Sequence, residues 1–94
     1  MFTNLEIQEN TSRRFNHVRL TIEGANVVIK SLAGDDRGQQ VVIPINKLES
    51  QVFDLYWGGQ RWSFEFSGVT WTVFEIGLGL FEYIKKNLPE KVAS

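Results

Sequence analysis

The sequence predicts a mostly β domain of the α+β class, in which an antiparallel meander of six to seven strands forms a curved sheet or small barrel capped by one C-terminal amphipathic helix. Three observations predict this fold. Apolar and polar residues alternate along most of the chain, turn sequences interrupt the alternation, and the period becomes helical near the C-terminus. The 94 residues are 43% hydrophobic, which suits a single domain over residues 1–94 with a core of its own.

Four alternating segments in the first half of the chain predict strands: Phe2 to Gln8, His17 to Glu23, a segment through Val27 and Ile29, and about Gln39 to Ile45. The first alternates weakly, so it is either a strand or an ordered arm. Polar and glycine-containing stretches predict loops over 10–13 and 33–38. Pro44 cannot donate a backbone hydrogen bond, so the fourth strand ends there or has an open edge there. Residues 46–50 predict a corner.

Residues 52–76 show the most specific pattern. Three strand segments, 52–57, 60–66 and 69–76, are separated by Gly58-Gly59 and Ser67-Gly68, which are connections typical of tight hairpins. Two-residue turns fix the register, so we expect Trp57 opposite Gln60 and Phe66 opposite Val69. One face of the hairpins then collects apolar residues only: Phe53, Leu55, Trp57, Trp62, Phe64, Phe66, Val69, Trp71 and Val73.

The segment from Gly77 to Asn87 predicts the helix. Apolar residues recur there at helical spacing, at Leu80, Phe81, Ile84 and Leu88, and Pro89 follows. Packing this apolar stripe on the apolar sheet face would bury both. Strands followed by one helix resemble the pleckstrin-homology-like arrangement. No family motif accompanies the resemblance, so it concerns element order and implies no function.

The three tryptophans allow two interpretations. With Phe64 and Phe66 they could stack on the bases of single-stranded nucleic acid. Alternatively, Trp57, Trp62 and Trp71 belong to the core. The predicted register favours the core, because it places all three on the face that the helix needs to cover.

The opposite face of the same hairpins is the predicted partner-binding surface. The register places Tyr56 opposite Arg61 and Arg61 opposite Phe74, so two aromatic side chains flank an arginine on an otherwise polar face. Tyrosine and arginine are frequent anchors of protein interfaces. Two other interpretations stay open: a cross-strand cluster that only stabilises the sheet, and a face covered by the N-terminal segment.

Four residues of the first half complete the predicted partner-binding set. Arg13 and Arg14, at the entrance to a strand, could contact phosphate or an acidic partner. His17 faces the polar side of its strand, near Arg19 and Lys30. It is the sole histidine, and no carboxylates lie at suitable spacing, so we expect a surface side chain and no metal site.

The pair Asp35-Asp36 predicts a solvated turn, because a cation site needs about six oxygen ligands. Gly77 and Gly79 lack the third glycine and the lysine of a phosphate-binding loop.

Composition narrows the classes of function. The chain has no cysteine, which excludes disulfides and thiol chemistry, and its net charge of −1 argues against bulk electrostatic binding of duplex nucleic acid. No stretch approaches the ~18 apolar residues of a membrane span, and no secretory signal is seen, so we expect a cytoplasmic protein that does not contact membranes. No pair of nucleophile and base is evident, so we expect no enzyme, cofactor or metal.

The sequence therefore predicts a small non-catalytic binding module. It would dock a protein partner or self-associate, through its polar sheet face or an open strand edge. The alternative is a single-stranded nucleic-acid-binding protein that uses aromatic and basic side chains on the sheet.

Overall fold

A computed structural model describes residues 1–56, 59–75 and 79–87. These ranges contain seven strands, one 3₁₀ turn and one α-helix: β1 (Phe2–Glu9), β2 (Ser12–Glu23), β3 (Asn26–Gly34), β4 (Gln40–Pro44), the 3₁₀ turn (Ile45–Lys47), β5 (Glu49–Tyr56), β6 (Gly59–Phe66), β7 (Val69–Phe74) and α1 (Leu80–Asn87). The predicted fold class is confirmed, since all strand pairs are antiparallel and the helix follows the last strand.

The strands form one sheet in the order β4-β3-β2-β1-β7-β6-β5. Two meanders, β1 to β4 and β5 to β7, meet where β1 pairs with β7. The N-terminal segment is therefore a strand and not an arm. It lies at the centre of the sheet, so the alternative in which it covers the polar face is wrong.

The sheet is curled into a half-barrel. Its edge strands, β4 and β5, are consecutive in the chain, and only residues 45–48 connect them. In a flat sheet of seven strands the two edges would lie about 28 Å apart, at ~4.7 Å between neighbours. The connection from Pro44 to Glu49 spans at most about 18 Å when fully extended. Curling the sheet is what brings the two edges within this reach.

The inner face of the curled sheet and the helix enclose the core. In the described part of the chain, the buried apolar side chains are Leu5, Ile7, Val18, Leu20, Val27, Ile29, Ile43, Ile45, Trp62, Phe64, Trp71, Val73, Phe81 and Ile84. On the helix, Phe81 meets Phe53 edge to face at 5.7 Å between ring centroids. The Tyr83 hydroxyl accepts a hydrogen bond from the Ile22 backbone N–H at 2.8 Å. The helix thus covers the apolar sheet face, as predicted.

Two of the three tryptophans are confirmed as core residues. The exposed fraction is 0% for Trp62 and 7% for Trp71, and Phe64 packs between them on the inner face. The Trp62 indole donates a hydrogen bond to Gln51 Oε1 at 3.1 Å. Within the described residues the Trp71 indole has no hydrogen-bond partner. Trp57 lies outside the described residues.

The predicted register is correct for one hairpin and wrong for the other. Phe66 lies opposite Val69, as expected. In the β5–β6 hairpin, however, Tyr56 lies opposite Gly59, whereas the sequence predicted Trp57 opposite Gln60. The two strands are therefore shifted by two residues relative to the prediction.

The core face was predicted largely correctly despite this shift, because the shift is of two residues. A shift of two residues preserves the side of the sheet to which each side chain points. Phe53 now lies opposite Trp62, still on the inner face, with ring centroids 5.8 Å apart. Leu55 instead reaches the end of the edge strand opposite Gln60, and its side chain is 77% exposed. Its assignment to the core is wrong.

Several predicted boundaries also move. Strand β2 begins at Ser12, so the predicted loop over 10–13 shrinks to a turn at Asn10 and Thr11. Asn10 adopts φ 57°, a left-handed conformation that asparagine tolerates well. The predicted positions Ile76, Gly77, Leu88 and Pro89 lie outside the described residues.

Candidate functional site

The sheet face turned away from the helix, called here the outer face, contains the candidate site. Strand alternation places Phe2, Asn4 and Glu6 of β1 on this face, together with Phe15 and His17 of β2. Phe2 and Phe15 are 61% and 56% exposed. No element in the described part of the chain therefore covers this area.

One row of residues crosses six strands of the outer face, each residue directly opposite the next. This central row consists of Asp54, Arg61, Phe74, Asn4, His17 and Ala33. Arg61 and Phe74 are neighbours, as the sequence predicted. His17 joins the same row through Asn4, whose Oδ1 lies 3.1 Å from His17 Nδ1. The central position of β1 makes this connection, and the sequence did not predict it.

Tyr56 does not take its predicted place in the row. Asp54 lies opposite Arg61 instead. Arg61 donates two hydrogen bonds to this carboxylate, from Nε to Oδ1 at 3.0 Å and from Nη2 to Oδ2 at 2.8 Å. Hydrogen bonding to Arg61 lowers the pKa of Asp54 below its ordinary value. The predicted triad of Tyr56, Arg61 and Phe74 is thus replaced by an ion pair beside one phenylalanine.

An open cavity of about 520 Å³ lies beside the central row. Its lining includes Asn4, Phe15, His17, Gly34 and Phe74. The volume falls within the range of small-molecule pockets, ~300–1,000 Å³. The pairing of β2 with β3 is irregular between His17 and Val18, and such bulges redirect side chains next to binding sites.

Aromatic rings line this cavity or lie next to it. The Phe2 ring stacks on the His17 imidazole, with centroids 6.5 Å apart and planes 12° apart. Phe15 and Phe74 contribute two further rings to the lining. The outer face thus holds four aromatic or imidazole rings on the three central strands, whereas the sequence identified only Phe74 and His17 among them.

The predicted pair Arg13-Arg14 is divided between the two faces. Arg13 points to the outer face and forms an ion pair with Glu6 at 3.6 Å. Arg14 points to the opposite side and contacts Asp36 at 3.1 Å and Glu9 at 3.4 Å. Hydrogen bonding to Asp36 raises the pKa of Arg14. Arg14 therefore does not join the outer-face residues.

Arg19 and Lys30 lie directly opposite each other on the outer face, and both are exposed. Lys30 is opposite Arg19 and not opposite His17, whose partner across the strands is Ala33. Within the described residues, neither Arg19 nor Lys30 forms an ion pair or a hydrogen bond. Like charges directly opposite each other destabilise a sheet, so this Arg19–Lys30 pair contributes nothing favourable to folding through its charges.

The Asp35-Asp36 turn lies at the surface, as expected, with Asp35 exposed and Asp36 half-buried, and both residues are hydrogen-bonded to β2. The Asp36 carboxylate accepts a hydrogen bond from Asn16 Nδ2 at 2.8 Å, and the Asp36 backbone N–H donates to Asn16 Oδ1 at 2.7 Å. Asp35 Oδ2 accepts from the Phe15 backbone N–H at 2.9 Å. Asn16 is a structural residue that the sequence did not predict, although it interrupts the apolar alternation of the inner face. In the described ranges no cluster of three or more His, Cys, Asp or Glu could hold a metal ion.

Both sheet edges carry features that hinder pairing with another strand. Strand β4 is short and ends at Pro44, which lacks a backbone N–H. Strand β5 has an irregular register between Glu49 and Val52, where Ser50 adopts φ 52°. Prolines and bulges are the devices by which natural sheets discourage edge-to-edge association. The outer face is therefore the better candidate for a binding surface.

Fold and surface together define a small helix-capped half-barrel domain whose outer face exposes aromatic rings. Comparisons with protein-family models, with curated proteins and with solved structures found no match to this chain. Among the described residues, no helix has the length and apolar character that crossing a membrane requires.

Proposed function

We propose that this chain is a non-catalytic binding module that docks a protein partner on the outer face of its sheet. The observation that supports the proposal is the exposure of Phe2 and Phe15 beside the cavity lined by His17 and Phe74. Exposed phenylalanines at the centre of a sheet gain little for folding, since they bury little apolar area against the described elements. Aromatic residues are enriched at protein interfaces, where a pocket next to them receives a side chain of the partner.

The proposal places the module in the cytoplasm, because a chain without cysteine suits a reducing compartment. It assigns the chain no reaction, since the central row offers one histidine hydrogen-bonded to an amide and no paired carboxylates beside it. Self-association through the same face is the version of the proposal in which the partner is a second copy.

Single-stranded nucleic acid is the second candidate partner, favoured by Phe2, Phe15 and the Arg19–Lys30 pair on one face. Two observations weaken it. Trp62 and Trp71 are buried and offer no stacking surface. Arg13 and Arg61 are ion-paired with Glu6 and Asp54, so half of the outer-face arginines and lysines around the cavity are already neutralised.

Site-specific photocrosslinking tests the proposed function. A benzophenone amino acid is introduced in place of Phe15 in the native host, and the matched control carries it in place of Glu82, an exposed residue of the helix on the other side of the sheet. We expect one protein to be crosslinked from position 15 and not from position 82. Crosslinking of a second copy would identify a homodimer, to be verified by sedimentation velocity.

The crosslinked protein is then purified and its affinity is measured. Phe15→Ser should weaken binding by about 2 kcal/mol, as expected for a central interface anchor. Its circular dichroism and unfolding midpoint should stay unchanged, since exposed substitutions shift stability by about 0.5 kcal/mol or less. Equal crosslinking from both positions, or an unchanged affinity of Phe15→Ser, would contradict a binding role for the outer face.

A further inference from the structure

We propose that the segment bound by the outer face is an acidic peptide with an apolar side chain, whose carboxylates lie against Arg19 and Lys30 and whose apolar side chain enters the cavity beside Phe15 and His17. This inference rests on the proposed function and specifies the chemistry of the partner.

The charge of the partner follows from the Arg19–Lys30 pair. Two cations face each other across adjacent strands, and no carboxylate in the described residues neutralises either of them. The neighbouring row on one side consists of Thr21, Val28 and Val42, which carry no charge. On the other side lies the central row, whose carboxylate, Asp54, is four strands away and bound to Arg61. A carboxylate of a partner would relieve this repulsion.

The apolar part of the partner follows from the position of the cavity. Phe15, His17 and Arg19 alternate along the outer side of β2, so the cavity and the cationic pair lie along one strand. Alternate residues of a strand are about 7 Å apart, which places the two subsites about 7–13 Å from each other. An extended peptide covers this distance in about two to four residues. The expected segment therefore has an acidic residue two to four positions from an aromatic or aliphatic one.

A peptide fits this surface better than single-stranded nucleic acid. Nucleic acid carries a phosphate at every nucleotide, whereas the Arg19–Lys30 pair is confined to one row of the outer face. The other rows hold uncharged residues or carboxylates such as Glu6 and Asp54, which are already paired with arginines. A peptide can place neutral residues over these rows. The single cationic pair thus favours a partner whose own charges are spaced unevenly.

Fluorescence anisotropy with defined probes tests the inference. The probes are a labelled random copolymer of glutamate and tyrosine, a lysine–tyrosine copolymer of the same length, and oligo-dT. We expect binding of the glutamate–tyrosine copolymer alone, weakened by salt because exposed charges are screened. The double variant Arg19→Gln/Lys30→Gln should lose about tenfold or more in affinity. The control Lys47→Gln/Lys86→Gln removes the same charge from exposed positions elsewhere and should stay within about twofold.

Three results would overturn the inference. Equal losses in the double variant and its control would show that only net charge matters. Binding of oligo-dT that depends on Arg19 and Lys30 would identify nucleic acid as the occupant. If the affinity for the protein crosslinked from position 15 depends on Phe15 and does not change in Arg19→Gln/Lys30→Gln, the inference of an acidic peptide is wrong while the proposed function stands. If the affinity for that protein does not change in Phe15→Ser, the proposed function itself is wrong.

Discussion

At the scale of single residues, Gly34 shows how closely two parts of the chain approach each other. Its φ is 114°, and a Cβ atom there would lie 2.3 Å from the Phe15 carbonyl oxygen and 2.8 Å from Asn16 Cα. This approach lets the next residue, Asp35, donate its backbone N–H to the Phe15 oxygen at 3.1 Å. Only glycine combines this conformation with so little space.

Gly34→Ala should therefore destabilise the protein by about 2–4 kcal/mol, through backbone strain and a clash that only backbone movement can relieve. Gly38→Ala is the matched control, because Gly38 also has a positive φ, 88°, while no atom lies within 4 Å of its missing Cβ. It should cost about 1 kcal/mol. Urea unfolding measures both. Similar losses in the two variants would show that the close contact at Gly34 carries no energy of its own.

The same region shows that contacts between distant residues cannot be predicted from local sequence. The pattern identified Asp35 and Asp36 as a turn at the surface, which is correct, but it did not indicate that both residues are hydrogen-bonded to β2. Their partners, Phe15 and Asn16, lie about twenty residues earlier in the chain. Alternation and turn propensity are local properties, and they carry no information about which distant side chain a carboxylate will meet.

At the scale of elements, the β5–β6 hairpin shows a limit of a different kind. Pairing Trp57 with Gln60, or Tyr56 with Gly59, produces the same division of side chains between the two faces, because the two registers differ by two residues. The hydrophobic pattern therefore predicted the face correctly and could not choose the register. In the observed register Phe53 stacks on Trp62 and Arg61 meets Asp54.

The pKa of the Asp54 carboxyl depends on this register, which places Asp54 opposite Arg61. Its pKa is lowered by hydrogen bonding to Arg61, so the ionised form stabilises the folded state above the pKa of the unfolded chain, and this contribution is lost as the pH falls through the lower folded pKa. Carbon-detected NMR titration should find Asp54 below its ordinary pKa, and Arg61→Gln should raise the pKa. A pKa that Arg61→Gln leaves unaltered would mean that Arg61 has another partner across the strands.

At the scale of the whole molecule, β1 connects the two meanders. Leu5 of β1 lies opposite Asn16 on one side and Val73 on the other, and its side chain is buried. The sequence predicted a single meander followed by the helix from local patterns. It could not predict that the strands form two meanders joined through the pairing of β1 with β7, because alternation says nothing about the order of strands in a sheet. The central row of the outer face depends on the same fact, since Asn4 of β1 links His17 to Phe74 and Arg61.

We expect the two meanders to unfold together. Tryptophan fluorescence reports on Trp62 and Trp71 in the second meander, whereas far-ultraviolet circular dichroism reports on the entire sheet, and their urea midpoints should coincide. Leu5→Ala should lower both by the same amount, at a cost of about 2–5 kcal/mol. The exposed Leu55→Ala is the control and should change stability by about 0.5 kcal/mol or less. Separate midpoints would show that the meanders unfold independently.

The central position of β1 also has a consequence for synthesis on the ribosome. Strand β1 has one neighbour, β2, that follows it at once in the chain, and another, β7, that is completed about 65 residues later. At translation rates of ~5–20 residues per second, β1 waits about 3–13 s for β7. During that time the edge of β1 that later pairs with β7 stays unpaired. The apolar side chains of Leu5 and Ile7, on the inner face of the sheet, also lack the helix and the second meander that later cover them. The nascent chain is therefore most prone to aggregate before Phe74 emerges, and chaperones that bind extended apolar segments have their clearest target in β1.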